Sequence, residues 1–271
     1  MRNTHKYEEL FPDEFKAELQ RSPIIYCSFA PVEYHHQHGA LGMDTFKGYE
    51  ICLRAAAISG GIVYPMLPVA PILPNGPDGK YFSTRLAERD DIRKMGGIDW
   101  PSVYISGEVC KKLILELLEV FAEDVGFKVC VLMGSHGPAG ILAKKIAAEN
   151  PSVKGMKIIA TGSMTHNLDV VKAEYARLGI PRISHGGMWE SAMLMASNPE
   201  FVNPEKLKTI PPGTYEKWGD EIYGSHIRPD FEEMSKVSVE FGVRLVQTAA
   251  ERIAQEALQA LKEMGSDNQN E

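Results

Sequence analysis

The run Glu33-Tyr34-His35-His36-Gln37-His38-Gly39, with Asp44 close behind it, places two carboxylates and three imidazoles in one short stretch. Neutral imidazole and carboxylate are the donors that zinc and manganese take readily. The stretch follows the apolar run Ile24-Ile25-Tyr26-Cys27-Ser28-Phe29-Ala30, so the donors fall at a strand end. If Glu33 and His35 continue that strand they point the same way, because side chains alternate with period two. Asp44 then reaches back from the start of the next helix. One ion needs roughly three or four such ligands, and two ions sharing a carboxylate need about five. A polar surface loop does not need three histidines and two acids to be soluble.

Two further clusters carry chemistry. Gly134-Ser135-His136-Gly137-Pro138-Ala139-Gly140 follows the apolar strand pattern at 129–133. Its glycines allow a sharp turn and close backbone approach to a ligand. It lacks the lysine and the glycine spacing of a phosphate loop. His136 at this strand end is a natural additional metal ligand. The third cluster is His185-Gly186-Gly187-Met188-Trp189-Glu190-Ser191. His185 could give or take a proton near neutral pH. Glu190 could bind a second metal or orient a ligand, or it could be a helix-start carboxylate favoured by the helix dipole. Trp189 could wall a pocket or fill the core. His166 and His226 sit in turn-like contexts and read as structural or surface residues.

These clusters need a scaffold that brings strand ends together. Strands are expected at 24–30, 62–67, 128–133 and 156–161. Helices are expected at 12–19, at 45–59 with Asp44 or Thr45 as N-cap and Gly60-Gly61 as the stop, and at 106–125 with Val109, Leu113, Leu117 and Val120 on one stripe. Further helices are expected at 139–149, 168–178, 190–196 and, as one long element, 231–264. The segment 75–97 is polar, charged and too long for an ordinary connection, which suggests a lid or an oligomer contact. The segment 204–223 reads as irregular. Strands alternating with helices predict an α/β fold: a single-domain three-layer sandwich with a mainly parallel sheet flanked by helices. In such sheets the sites lie beyond the carboxyl ends of the strands, where all three clusters fall.

Composition narrows the function classes. At 271 residues with 44% hydrophobic content, the chain can bury one large core. A net charge of −7 argues against a phosphate-tracking surface, so nucleic acid is not an expected partner. No apolar stretch has the length to span a bilayer, and residues 1–21 are charged and lack the apolar core of a signal peptide. Cys27, Cys52, Cys110 and Cys130 show no close pairing motif and are expected as buried thiols in a reducing cytoplasm.

The three clusters, in this order, resemble the creatininase (creatinine amidohydrolase) family. Its first motif, from the glutamate onward, is matched by Glu33-Tyr34-His35-His36-Gln37-His38 and ends at Asp44. Its second motif is matched around His136, and its third by His185-Gly186-Gly187-Met188-Trp189-Glu190-Ser191. The resemblance spans residues 20–200, and the last helix also suits the family. It implies two divalent ions, zinc or manganese. Glu33 and His136 would bind one, His35 the other, and Asp44 would bridge them. The family's creatininase has a further glutamate ligand two residues after the second-motif histidine. Here that position is Pro138, and Glu190 or water would replace the ligand. Tyr34, His36, Gly39 and Ala40 also depart from the family pattern.

The resemblance thus implies a hydrolase in which metal-activated hydroxide attacks a carbonyl carbon and opens a cyclic amide or cleaves a related C–N bond. His185 is the candidate proton donor to the leaving group, with Glu190 as its alternative. Tyr34, His38 and Trp189 are the candidate contacts for a small cyclic substrate. Two other readings remain at this stage: C–C ring opening of a cyclic diketone derived from inositol, and a non-catalytic metal-binding or maturation protein. A homo-oligomer, such as a hexamer, is also implied.

Overall fold

The apolar runs in two of these patterns become the central strands of a five-stranded sheet, and both are buried along their whole length. The computed structural model describes residues 4–72, 103–209, 229 and 231–267. The strands are β1 (Ile24–Phe29), β2 (Ile62–Val63), β5 (Val129–Gly134), β6 (Ser152–Val153) and β7 (Met156–Gly162), in the order β2-β1-β5-β7-β6. All neighbours are parallel except β6 and β7. A separate parallel pair joins β3 (Pro71–Ile72) to β4 (Ile105–Ser106). The register pairs Phe29 with Gly134 and Gly134 with Gly162. The carboxyl ends of β1, β5 and β7 are therefore level, and the segments that follow them open onto one edge.

Alternating residues of the sheet feed two cores. Ile24, Tyr26, Val129, Val131 and Met133 face one layer, built from α2 (Met43–Ser59), α5 (Leu168–Leu178), α6 (Met188–Met195) and α8 (Val239–Asp267). Ile25, Cys27, Phe29, Cys130 and Leu132 face the other, built from α1 (Pro12–Arg21), α3 (Gly107–Val120) and α4 (Gly137–Glu149). Strands covered on both faces read as continuous apolar runs, as these do. The chain is thus a single-domain α/β three-layer sandwich, as expected. The four cysteines are free and buried.

Several elements differ from expectation for local reasons. β1 stops at Phe29, and residues 33–35 leave the ladder. β2 ends at Val63, two residues before Pro65, which has no N–H to give to a ladder. The N-cap of α2 is Gly42, so Asp44 lies inside the first turn with its carboxylate free to face the sheet edge. On α3 the buried stripe is Cys110, Ile114 and Leu118, while the expected Val109, Leu113 and Val120 are exposed. The C-terminal helix is broken: α7 (Phe231–Met234) precedes α8, and Ser238 Oγ accepts the Phe241 N–H at 3.1 Å, capping a new start. The expected lid at 75–97 and His226 lie outside the described residues, as does most of 204–223, of which Pro204–Thr209 form a short 3-10 helix.

Candidate metal centre and active site

Three chain segments and two helix starts meet at the level strand ends. After β1 the chain runs extended and then turns at His36, whose φ of 61° lies in the left-handed region. Glu33 and His35 both enter the cavity there. The start of α2 packs against the ends of β1 and β5. A Cβ at Gly48 would come within 2.5 Å of Ser135 and 2.6 Å of Ser28 Oγ, so only glycine allows the helix this close. That approach sets Asp44 and Lys47 over the strand ends. His136 follows β5 as the N-cap of α4. The loop 184–187 and the first turn of α6 supply His185, Trp189 and Glu190. Together these residues line a cavity of about 490 Å³.

The ligand-type atoms converge. His136 Nε2 lies 3.3 Å from Glu33 Oε2. His35 Nε2 lies 3.5 Å from Asp44 Oδ2 and 3.8 Å from Glu33 Oε2. Glu33 Oε2, His35 Nε2 and Asp44 Oδ2 are buried, and none has a hydrogen-bond partner in the structure. Buried polar atoms are almost always paired, and three orphans facing one another are a donor set that a divalent cation would satisfy. Two trios that share Asp44 have donor atoms within 4.8 Å of each other, Glu33–Asp44–His136 and His35–Asp44–Glu190. A third such trio, Glu33–His35–His185, overlaps them. The chemistry of this donor set fits zinc or manganese.

Burial and charge set the protonation states. Burial pushes the Glu33 carboxyl up to about 8, although His35 opposes it. Burial disfavours the His35 imidazolium, but Asp44 foremost outweighs burial and raises it to about 9. Burial would raise Asp44, yet Lys47 and His35 hold it well below its usual range. The same opposition, with Lys47 leading, takes Glu190 down to about 2. Burial lowers His136 to about 4 and His185 to about 3, which keeps both imidazoles neutral. His185 Nε2 lies 3.1 Å from the Tyr34 carbonyl oxygen. A carbonyl only accepts, so this nitrogen carries the proton and Nδ1 is the basic atom. The His185 ring stacks on His35 at 4.5 Å.

Of the residues singled out in the sequence, Glu33, His35, Asp44, His136, His185, Trp189 and Glu190 line this cavity. Tyr34 and His38 do not. The Tyr34 carbonyl holds His185, and His38 Nε2 bonds the Gly186 carbonyl at 2.7 Å and Ser191 Oγ at 3.2 Å, so both brace the loops behind the cavity. His166 sits apart, 3.6 Å from Glu256. Three residues escaped the sequence reading. Lys47 bridges Asp44 and Glu190. Tyr104 donates its hydroxyl to Glu33 Oε1. Glu233 accepts from Ser184 and from the Met188 N–H, clamping the loop that carries His185. Of these, only Lys47 left a trace, standing one helical turn after Asp44 on the same face.

Comparison with known proteins gives a consistent result. The creatininase family model, described as creatinine amidohydrolase, matches residues 8–257. No curated protein matches the sequence. Among solved structures, a creatinine amidohydrolase (creatininase) is 18% identical with a TM-score of 0.68, covering 95% of this chain and 98% of that one. A creatininase with Mn is 17% identical with a TM-score of 0.65, covering 94% and 97%. A creatininase variant of the Zn–Zn type is also 17% identical with a TM-score of 0.65, covering 94% and 97%. At such identities the likeness to these structures is one of fold.

Proposed function

The chain belongs to the creatininase family and is a metal-dependent amidohydrolase; from that premise we propose that it opens a small cyclic amide, or cleaves a related non-peptide C–N bond, in the cavity at the ends of β1, β5 and β7. The observation that carries this reading is the set of three unpartnered, buried ligand atoms, Glu33 Oε2, His35 Nε2 and Asp44 Oδ2. Glu33, Asp44 and His136 would hold a divalent ion, zinc or manganese. Such an ion supplies Lewis acidity and lowers the pKa of water toward neutrality.

The protein groups have separable roles. Tyr104 fixes Glu33 by donating to Oε1, which leaves Oε2 for the ion. His185, with Nε2–H given to Tyr34, is the proposed proton carrier at Nδ1: it takes a proton from the attacking water and holds it only transiently, since burial disfavours the imidazolium while the Glu190 and Asp44 charges favour it. It returns that proton to the ring nitrogen as the C–N bond breaks. Glu190 stays ionised with both oxygens engaged, by Lys47 and by the Gly186 N–H, so it anchors the loop and does not donate a proton. Trp189 lines the cavity, and its buried Nε1–H has no partner in the structure. It is the proposed donor to a substrate oxygen or nitrogen. A cavity of about 490 Å³ suits a small ring.

Setting follows from the same observations. No described helix is long and apolar enough to cross a membrane. Four free, buried thiols support a reducing cytoplasm as the compartment. The exposed apolar stripe of Val109, Leu113 and Val120 on α3 is the proposed contact of a homo-oligomer. Mass measurement in solution on wild type and Leu113→Glu tests that assignment.

The deciding experiment strips the protein with a chelator, reloads it with zinc or manganese, and incubates it with cyclic amides, cyclic ureas and cyclic diketones. Mass spectrometry reads addition of one water. Metal-dependent opening of a C–N ring, lost in Glu33→Ala and His136→Ala, is the expected result. A loaded protein that opens only the diketones would overturn the proposed bond specificity.

A further inference from the structure

An ammonium stands where the second metal trio would need room. Lys47 lies one turn beyond Asp44 on α2, with Nζ 2.5 Å from Asp44 Oδ1 and hydrogen-bonded to Glu190 Oε1. The side chain is 1% exposed and ranks among the largest fully buried ones. Its Nζ lies 4.8 Å from the centroid of the Trp189 ring. The other Glu190 oxygen accepts the Gly186 N–H at 2.7 Å. In the His35–Asp44–Glu190 trio, therefore, both Glu190 oxygens and one Asp44 oxygen already have donors. The Glu33–Asp44–His136 trio keeps Glu33 Oε2 and Asp44 Oδ2 unpartnered. Pro138, on the first turn of α4, adds no ligand of its own.

We propose that Lys47 takes the place of a second divalent ion, so that the site loads a single metal, on Glu33, Asp44 and His136, beside a fixed ammonium held by Asp44 and Glu190. This rests on the reading that the cavity binds a divalent ion at all. Charge balance supports it. With the carboxylates ionised and His35 a neutral imidazole beside the bound ion, three carboxylates, one ammonium and one divalent ion are neutral together. A second divalent ion would leave a net positive cluster in a buried site, with the ion pressed against the ammonium. Lysine is a compact point charge with donors only, so it can neutralise and position carboxylates but offers no exchangeable ligand position. His35, freed from a second ion, is left beside Asp44 and Glu33, at 3.5 and 3.8 Å, as an extra ligand to the single metal. Lys47 is on this account a positioning residue.

The test is metal stoichiometry and spin coupling, read without any substrate. Chelator-stripped protein is reloaded with manganese, freed of excess by gel filtration, and measured for metal per chain and by electron paramagnetic resonance. Wild type should hold about one ion per chain with the hyperfine pattern of isolated Mn(II). The double variant Lys47→Ala/Pro138→Glu, which removes the ammonium and adds a carboxylate, should hold about two, with an exchange-coupled spectrum. Two coupled ions in wild type would overturn the inference and leave the metal-hydrolase reading standing. No ion in wild type would sink both. A folded double variant that still takes one ion would overturn the role given to Lys47.

Discussion

Glu33 and Glu233 are both buried carboxylates, 3% and 8% exposed, and they are solvated in opposite ways. Among the described residues, Glu233 accepts from neutral donors: Ser184 Oγ at 2.8 Å to each oxygen, the Met188 N–H at 2.9 Å and the Tyr175 hydroxyl at 3.1 Å. Tyr175 in turn accepts the Trp189 N–H. Even the backbone yields to this carboxylate, since a Cβ at Gly187 would come within 2.5 Å of Glu233 Oε1. Glu33 receives Tyr104 on one oxygen, and the other is left facing His136, His35 and Asp44 without a bond. A saturated carboxylate is part of the architecture, because nothing more can bind to it. A half-saturated one, held rigid, keeps its lone pairs for a ligand, and the fold bears the desolvation cost until the ligand arrives. Satisfaction, more than burial, separates the residue that builds the loop from the residue proposed to work in the cavity.

The contrast can be broken by measuring stability and metal content together. Asp44→Ala should have the largest effect on stability. It strips Lys47 and His35 of their main counter-charge in a dry site, and removing one partner of a buried pair costs about 3–5 kcal/mol. Chemical denaturation of the metal-free protein checks this, and metal binding should be lost as well. Glu233→Ala comes next. It leaves Ser184, Tyr175 and the Met188 N–H without their acceptor, at about 2–3 kcal/mol. Because Glu233 touches no ligand atom, the number of ions bound should not change. Loss of metal in Glu233→Ala with the fold intact would mean that the distinction between the two carboxylates is wrongly drawn.

How much of this was legible in the sequence follows from how local each signal is. Glu33, His35 and Asp44 lie on one loop and the helix turn after it, so their spacing alone places them together. His136 could be read because a parallel sheet sends strand ends to one edge, whereas the cluster from His185 to Glu190 lies between two helices and was legible only by its order in the family motifs. Lys47 could not be read with equal force. A lysine three residues after an acid on a helix is ordinarily a solvated partner, and only the close approach at Gly48 buries this one. Tyr104 and Glu233 arrive from distant elements, and no short-range pattern announces them. On α3, two apolar stripes one residue apart both have helical spacing. The sheet buries Cys110, Ile114 and Leu118, and periodicity cannot choose between them. β1 was read as one residue too long because hydrophobicity continues past the point where the ladder loses its partner.

A smaller effect sharpens the same comparison from the side of Glu33. Glu33→Gln keeps the shape and can still accept from Tyr104, and it removes a carboxylate that the fold solvates poorly. The metal-free variant should therefore melt within about 3 °C of wild type, although it binds no ion and turns over nothing. Thermal melts with and without manganese check this. Wild type should gain stability from the ion by mass action and the variant should not. A variant that unfolds outright would make Glu33 a structural residue like Glu233.

The smallest effect belongs to a carboxylate that water solvates. Asp169 on α5 is hydrogen-bonded by both Arg252 terminal nitrogens of α8 at 2.8 Å, with its side chain 61% exposed. The Arg252 hydrogen bonds lower its carboxyl from the usual 3.8 to about 2. A depressed carboxylate stabilises the fold above its unfolded pKa, and that contribution fades as pH falls from about 4 toward 2. Solvent screening keeps it small, so Asp169→Asn should shift Tm by less than about 2 °C at neutral pH. Melting curves across pH and salt provide the check. The difference should vanish below pH 2 and shrink in high salt, whereas the loss in Glu233→Ala should survive salt, because neutral hydrogen bonds in a dry site are not screened. If both losses faded alike with salt, Glu233 would be held by charge, and the division between a carboxylate saturated by neutral donors and one left open for a cation would have to be abandoned.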